Sequence, residues 1–147
     1  MLGVELVVWV LALIMAAMLI FCMIFLIISL VDLESDFVNP VDMCSRCNQL
    51  VLPEYAAHLA LTVLLLVTGN WLEFLLNLPL LVFHVLRLQK GKHKMDPTNI
   101  FNIMSHEKAV GVGKLCFYMI SLFYFLYKLV LLFAKEVLNK KYGYNYS

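Results

Sequence analysis

Residues 6–31 form a run of 26 without a charged side chain. Such a run leaves little choice of fold. In hydrocarbon every backbone N–H and C=O must find a partner inside its own segment or in a closed barrel, so an apolar stretch of this length becomes a helix. At 1.5 Å per residue it spans roughly 39 Å, against a hydrocarbon core of ~30 Å. The run therefore reads as a transmembrane helix, tilted or protruding at its ends. A cleavable leader would open on basic residues and stop far sooner; here Glu5 precedes the run.

The remaining chain fits that start. Hydrophobic residues make up 63% of the 147 and charged ones only 14%, where a soluble domain holds about half and about a quarter. One small integral membrane domain over residues 1–147 is expected. A net charge of +1 gives no bulk attraction to nucleic acid, so none is expected as a partner. The four cysteines, Cys22, Cys44, Cys47 and Cys116, are too few and too scattered for a disulfide scaffold. Cys22 and Cys116 sit in apolar runs and read as small core or lipid-facing residues.

The next apolar stretch, residues 50–88, is too long for one crossing, and Gly69-Asn70 divides it with a turn-favouring pair. Each half, 51–68 and 71–88, has 18 residues, just enough to cross. Trp71 lies beside the break, as an interfacial aromatic should. The two halves are expected to form a helical hairpin, with one long kinked helix as the alternative. A last span covers about 115–134, bounded by Lys114 and Lys135, with Lys128 able to snorkel from its final turns. The fold expected is thus an all-α membrane bundle of four transmembrane helices.

Two polar segments separate the spans. Residues 32–50 carry Asp32, Glu34, Asp36 and Asp42 against Arg46 alone, whereas residues 89–114, with Arg87 just before them, hold Lys90, Lys92, Lys94, Lys108 and Lys114. The positive-inside rule makes the second segment cytosolic. Four spans then put the acidic segment in the cytosol too and both termini in the lumen. Charge bias by itself leans to three spans and a lumenal acidic segment; length and the Gly69-Asn70 break favour four. The Asn145-Tyr146-Ser147 sequon matters only if that end is lumenal, and sits so near the terminus that an unused site is the plainer reading.

Polar groups inside the spans are the candidate chemistry. Glu73, Asn77 and His84 fall within about 40° of one another on a helix. Pro79 cannot donate to the Leu75 carbonyl and is expected to bend the helix there. Three readings stay open: a polar seam between the protein's own helices, a surface for another protein's membrane helix, and a catalytic or conducting site. Glu54 and His58, four apart, could start a metal site, but no third ligand is evident, and an interfacial pair is the plainer expectation. Cys44-Ser45-Arg46-Cys47 is a single CxxC without a partner pair, so two reduced cytosolic thiols are expected rather than zinc. No nucleophile–base pair or metal cluster is apparent, and neither an enzyme nor a cofactor is expected. Asp96-Pro97-Thr98 signals a helix start. Ile100, Phe101, Ile103 and Met104 then cluster on a short cytosolic element, either against membrane lipid or as a docking peptide for a soluble partner.

Five blocks together resemble the cornichon family: DLESDFVNPVD (32–42), LVLPEYAAH (50–58), FLLNLPL (74–80), DPTNIFNIM (96–104) and KLCFYMISLFYFLYKL (114–129). The resemblance covers nearly the whole chain. It implies four membrane helices with both termini lumenal, and an endoplasmic reticulum protein that escorts transmembrane cargo into COPII vesicles bound for the Golgi. It further implies a coat-binding stretch at Ile100, Phe101, Asn102, Ile103 and Met104, read by the coat's cargo-selecting subunit. Cargo contact would fall on Phe74, Leu75, Leu76, Asn77, Leu78 and Pro79. Some animal members also serve as auxiliary subunits of AMPA-type glutamate receptors. Those insert extra residues before LVLPEY, whereas here only residues 43–49 intervene, which favours the general cargo role over a channel-subunit role.

Overall fold

The computed structural model describes residues 2–35, 37–91 and 93–143; Asp36, Lys92 and the Asn145 sequon lie outside the described residues. Four helices follow one another: α1 (Leu2–Glu34), α2 (Pro40–Val67), α3 (Trp71–Gln89) and α4 (Ile100–Tyr142). All four are long and apolar enough to cross a membrane. The four-helix expectation holds, and so does the hairpin. Thr68, Gly69 and Asn70 make the turn between α2 and α3, with Gly69 at φ 81°, a conformation in which a Cβ would be strained. The Asn70 N–H donates to the Leu65 carbonyl at 2.9 Å and so closes the end of α2.

The helices differ from the sequence expectation mainly at their ends. The Asn39 side chain accepts from the Val41 N–H at 2.8 Å and Pro40 occupies the first helical turn. These are good start signals, so α2 begins about ten residues before the apolar run does. The short element expected at residues 100–104 is instead the first turn of α4, which runs unbroken through Gly111 and Gly113 into the last span. Asp96 prepares that start by accepting from the Thr98 N–H at 3.0 Å and its hydroxyl at 2.8 Å. Those bonds favour the charged carboxylate and hold Asp96 below its ordinary pKa. Likewise α3 continues through Pro79 without interruption.

Helix α1 packs most extensively on α4, then on α2, and α2 packs on α3. The buried residues of α1 include Trp9, Ala12, Ala16, Leu19, Met23, Leu30 and Leu33, a three-four alternation that keeps one seam facing its partners. On α4 the matching stripe is Gly111, Tyr118, Phe125 and Leu132. Gly111 lets the backbones approach: a Cβ there would lie 3.3 Å from Ile27 Cγ1 and 3.5 Å from Leu26 Cδ2.

A second core closes one end of the bundle. Leu30 and Leu33 from α1, Met43, Cys44 and Cys47 from α2, and Met95, Ile100 and Met104 pack together there. Asn48 stitches the α3–α4 loop to α2, donating to the Met95 carbonyl at 2.9 Å and accepting the Met95 N–H at 2.7 Å. The two polar segments thus share one end of the molecule, as an even number of crossings between them requires.

Candidate functional site

The polar residues of α2 and α3 turn toward each other and toward α4. Glu54 stands at the centre, only 5% exposed. Its Oε2 accepts from Lys114 Nζ at 3.1 Å and from the Tyr118 hydroxyl at 3.0 Å, while His84 Nε2 lies 3.3 Å away. The His84 contact is within ion-pair reach but too poorly aligned for a hydrogen bond, and both ring nitrogens of His84 make none. His84 is instead wedged between rings, stacked on Tyr55 at 4.2 Å and edge-on to His58 at 5.1 Å.

Toward the α2–α3 turn the chain of contacts continues. His58 Nε2 meets Asn77 Oδ1 at 3.1 Å, and Asn77 Nδ2 donates to the Glu73 carbonyl at 2.8 Å. The Glu73 carboxylate accepts from the Tyr124 hydroxyl at 2.6 Å. At the other end Arg87 of α3 holds Glu107 of α4 through a two-pronged contact, with Arg87 Nη1 3.1 Å from Glu107 Oε2. Helix α3 therefore reaches α4 through these polar side chains rather than by close backbone packing.

What can this arrangement do? A buried carboxylate opposite a buried ammonium neutralises both, and each added donor reduces the cost of having left water. The cavity bordered by Glu54, Lys114, Arg87, Glu107 and His93 measures about 30 Å³, room for roughly two waters and not for a substrate. Among the described residues no group of three or more His, Cys, Asp or Glu side chains is placed to hold a metal ion. The chemistry on offer is the holding together of three helices.

The sequence-predicted residues distribute as follows. Glu73, Asn77 and His84 are all buried in this seam. Of the other residues in the 74–79 element, Leu75 and Leu76 are 56% and 60% exposed, Pro79 is exposed, and Phe74 and Leu78 are half-buried. In the 100–104 element Ile100 is fully buried and Met104 nearly so, Ile103 is half-buried, and Phe101 and Asn102 face outward. The expectation that these apolar residues form one exposed cluster is thus corrected: two of the four anchor the end core. Glu54 and His58 are both buried within the bundle. Cys44 and Cys47 are free but buried, with Cys47 Sγ 3.5 Å from Met43 Sδ.

Lys114, Tyr118, Tyr124 and the Arg87–Glu107 pair are the members that sequence reasoning missed. Lys114 bounds the last apolar span in the sequence, yet it is only 7% exposed. Its spacing of four from Tyr118, on the face that also carries Glu107, was the available signal.

Comparison with known proteins agrees in extent. The family model described as "Cornichon protein" matches residues 6–127, a stretch that reaches into all four helices. The chain is 42% identical over 113 residues to the "ER-derived vesicles protein erv14" of Schizosaccharomyces pombe, covering 77% of this chain and 82% of that one. It is 40% identical over 129 residues to "Protein cornichon" of Drosophila virilis, 83% and 90% covered. To the "ER-derived vesicles protein ERV15" of Saccharomyces cerevisiae it is 35% identical over 109 residues, 74% and 77% covered.

Proposed function

The chain belongs to the cornichon family, and from that premise we propose that it is a cargo receptor, selecting transmembrane proteins for COPII vesicles that leave the endoplasmic reticulum for the Golgi. Two yeast relatives are named for ER-derived vesicles, which supports vesicle trafficking as the process. The observation that carries the finer reading is the division of α3 into two faces. Its polar residues Glu73, Asn77 and His84 turn to internal partners, while Leu72, Leu75, Leu76 and Pro79 are exposed on the other face.

A cargo helix in lipid gains nothing from hydrophobicity as such, because lipid tails are equally apolar; it gains from close packing and stray hydrogen bonds. Helix α3 suits this. It leans on α2 along its length and on α4 only through side chains, so its outer face is open to a neighbour. At Pro79 the Leu75 carbonyl lacks its helical donor and offers an acceptor. The function is adaptor-like, with no reaction catalysed.

The coat would engage the opposite end. The basic residues Arg87, Lys90, Lys94 and Lys108 around the end core support a cytosolic placement. There Phe101 and Asn102 stand out from the first turn of α4 while Ile100 and Met104 hold that turn down. The coat's cargo-selecting subunit would read the two outward residues.

Vesicle budding from microsomes tests both halves at once. Leu75→Ala/Leu76→Ala should leave the receptor in vesicles and cut co-packaged cargo by about tenfold, a binding loss of roughly 1.4 kcal/mol shared between two side chains. Phe101→Ala/Asn102→Ala should keep receptor and cargo together in the donor membrane. Normal cargo capture by the first variant and normal budding by the second would leave the proposal without support.

A further inference from the structure

We propose that the cleft between the end of α3 and the first turns of α4 binds an anionic phospholipid through a phosphomonoester headgroup. The cleft has a volume of about 480 Å³, and Phe83, Leu86 and Ile103 give it apolar walls. Arg87, Lys90 and Lys94 line it together with Asp96 and Glu107.

The two carboxylates are already committed. Glu107 holds the Arg87 guanidinium, and Asp96 accepts two bonds from Thr98. Lys90 and Lys94 are exposed and make no ion pair among the described residues; because Asp96 keeps its charge, Arg87, Lys90 and Lys94 against Asp96 and Glu107 leave the lining one positive charge in excess. Asn99, at the start of α4, also lines it and makes no side-chain cap. The Asn102 N–H donates to the Asn99 carbonyl at 3.0 Å, so the helix start favours an anion through its dipole. Two unpaired ammonium groups, three donors each, suit the three terminal oxygens of a phosphomonoester better than the two free oxygens of a phosphodiester.

Position selects a lipid as the carrier of that phosphate. One wall continues into the membrane-facing side of α3, where Val82 is 48% and Leu86 45% exposed, so acyl chains can leave the cleft without entering water. Basic pockets between membrane helices at the interface bind such headgroups in general. Ile103 belongs to the same turn as Phe101 and Asn102. An occupied cleft would therefore brace the proposed coat contact, a consequence that rests on the preceding reading, although the site itself does not.

The test uses the full chain in phosphatidylcholine nanodiscs doped with phosphatidylinositol or phosphatidylinositol monophosphate, with retained lipid read by native mass spectrometry. The monophosphate should be preferred. Lys90→Gln/Lys94→Gln should reduce its retention about twenty-five-fold, from roughly fivefold per lysine, whereas Lys90→Arg/Lys94→Arg should keep it. Lys135→Gln/Lys140→Gln, the same charge loss at the other end of α4, should change nothing. Equal retention of the two lipids, or equal loss in the Lys135/Lys140 variant, overturns the proposal. Displacement by inorganic phosphate as readily as by the lipid also overturns it, by making the site one for a soluble ion. Neither coat nor cargo is present, so failure here is separable from failure of the cargo-receptor reading.

Discussion

Helix α4 is shared by two seams that are held in opposite ways. Against α1 it lays Tyr118, Phe125 and Leu132 along Ala12, Ala16, Leu19 and Met23, and Gly111 against Leu26 and Ile27, with Trp9 tilted on Phe125 at 5.9 Å. Toward α2 and α3 it offers Lys114, Tyr118 and Tyr124 to Glu54 and Glu73. The first seam is chosen by shape. Since lipid solvates leucine as well as protein does, only close approach makes helix contact better than lipid contact, and small residues allow it. The second is chosen by chemistry: an ionised group in hydrocarbon has few acceptable partners, so each member prescribes its neighbour. A shape seam should tolerate volume-conserving swaps, and a chemical seam should tolerate only paired ones.

The sharpest way to break that contrast is at Glu54. Lys114→Met should destabilise the bundle by about 3–5 kcal/mol, because it leaves a buried carboxylate without its counter-charge. Glu54→Leu/Lys114→Met should recover most of the loss. Thermal unfolding in one detergent would register both, and a double variant no more stable than the single would mean the pair does not act as a unit. In the shape seam Gly111→Leu should cost about 1–3 kcal/mol by overpacking against Ile27 and Leu26. Unfolding at the wild-type temperature would show that α1 and α4 need not approach closely.

Asn77→Leu is a smaller break. It removes the bond to His58 and should cost roughly 1 kcal/mol, within the range for hydrogen bonds between membrane helices. Cargo capture should then fall only as far as receptor abundance does; a cargo defect at full abundance would move Asn77 to the cargo surface. Lys108→Gln marks the floor of the series. Its partner Glu34, 2.6 Å away, is exposed, so the loss should be between about 0.2 and 1 kcal/mol and should vanish in high salt. A larger, salt-insensitive effect would mean that the end core depends on that pair.

Local physics made four helices, the Gly69-Asn70 turn and the Asp96-Pro97-Thr98 start legible in the sequence, because span length, charge and turn chemistry act within a few residues of themselves. The polar face of α3 was legible for the same reason: helical periodicity sets which residues share a side. What stood opposite that face was not. Glu54 and Lys114 are separated by 60 residues, and nothing local to either encodes the other. Nor could hydropathy find the buried side of α1, which is apolar all round. The small Ala12 and Ala16 lie on it, and they mark it only once α4 is known to bring Tyr118 and Phe125 against them. The burial of Ile100 and Met104 was hidden likewise, since an apolar residue after a loop reads the same whether it faces a partner or the end of its own bundle. Within a membrane the sequence thus determined which segments cross and which face of α3 is polar. Which groups meet was decided by the tertiary structure alone, because in a solvent as apolar as the side chains, position along the chain says where a residue can lie but only the opposing helix says what it touches.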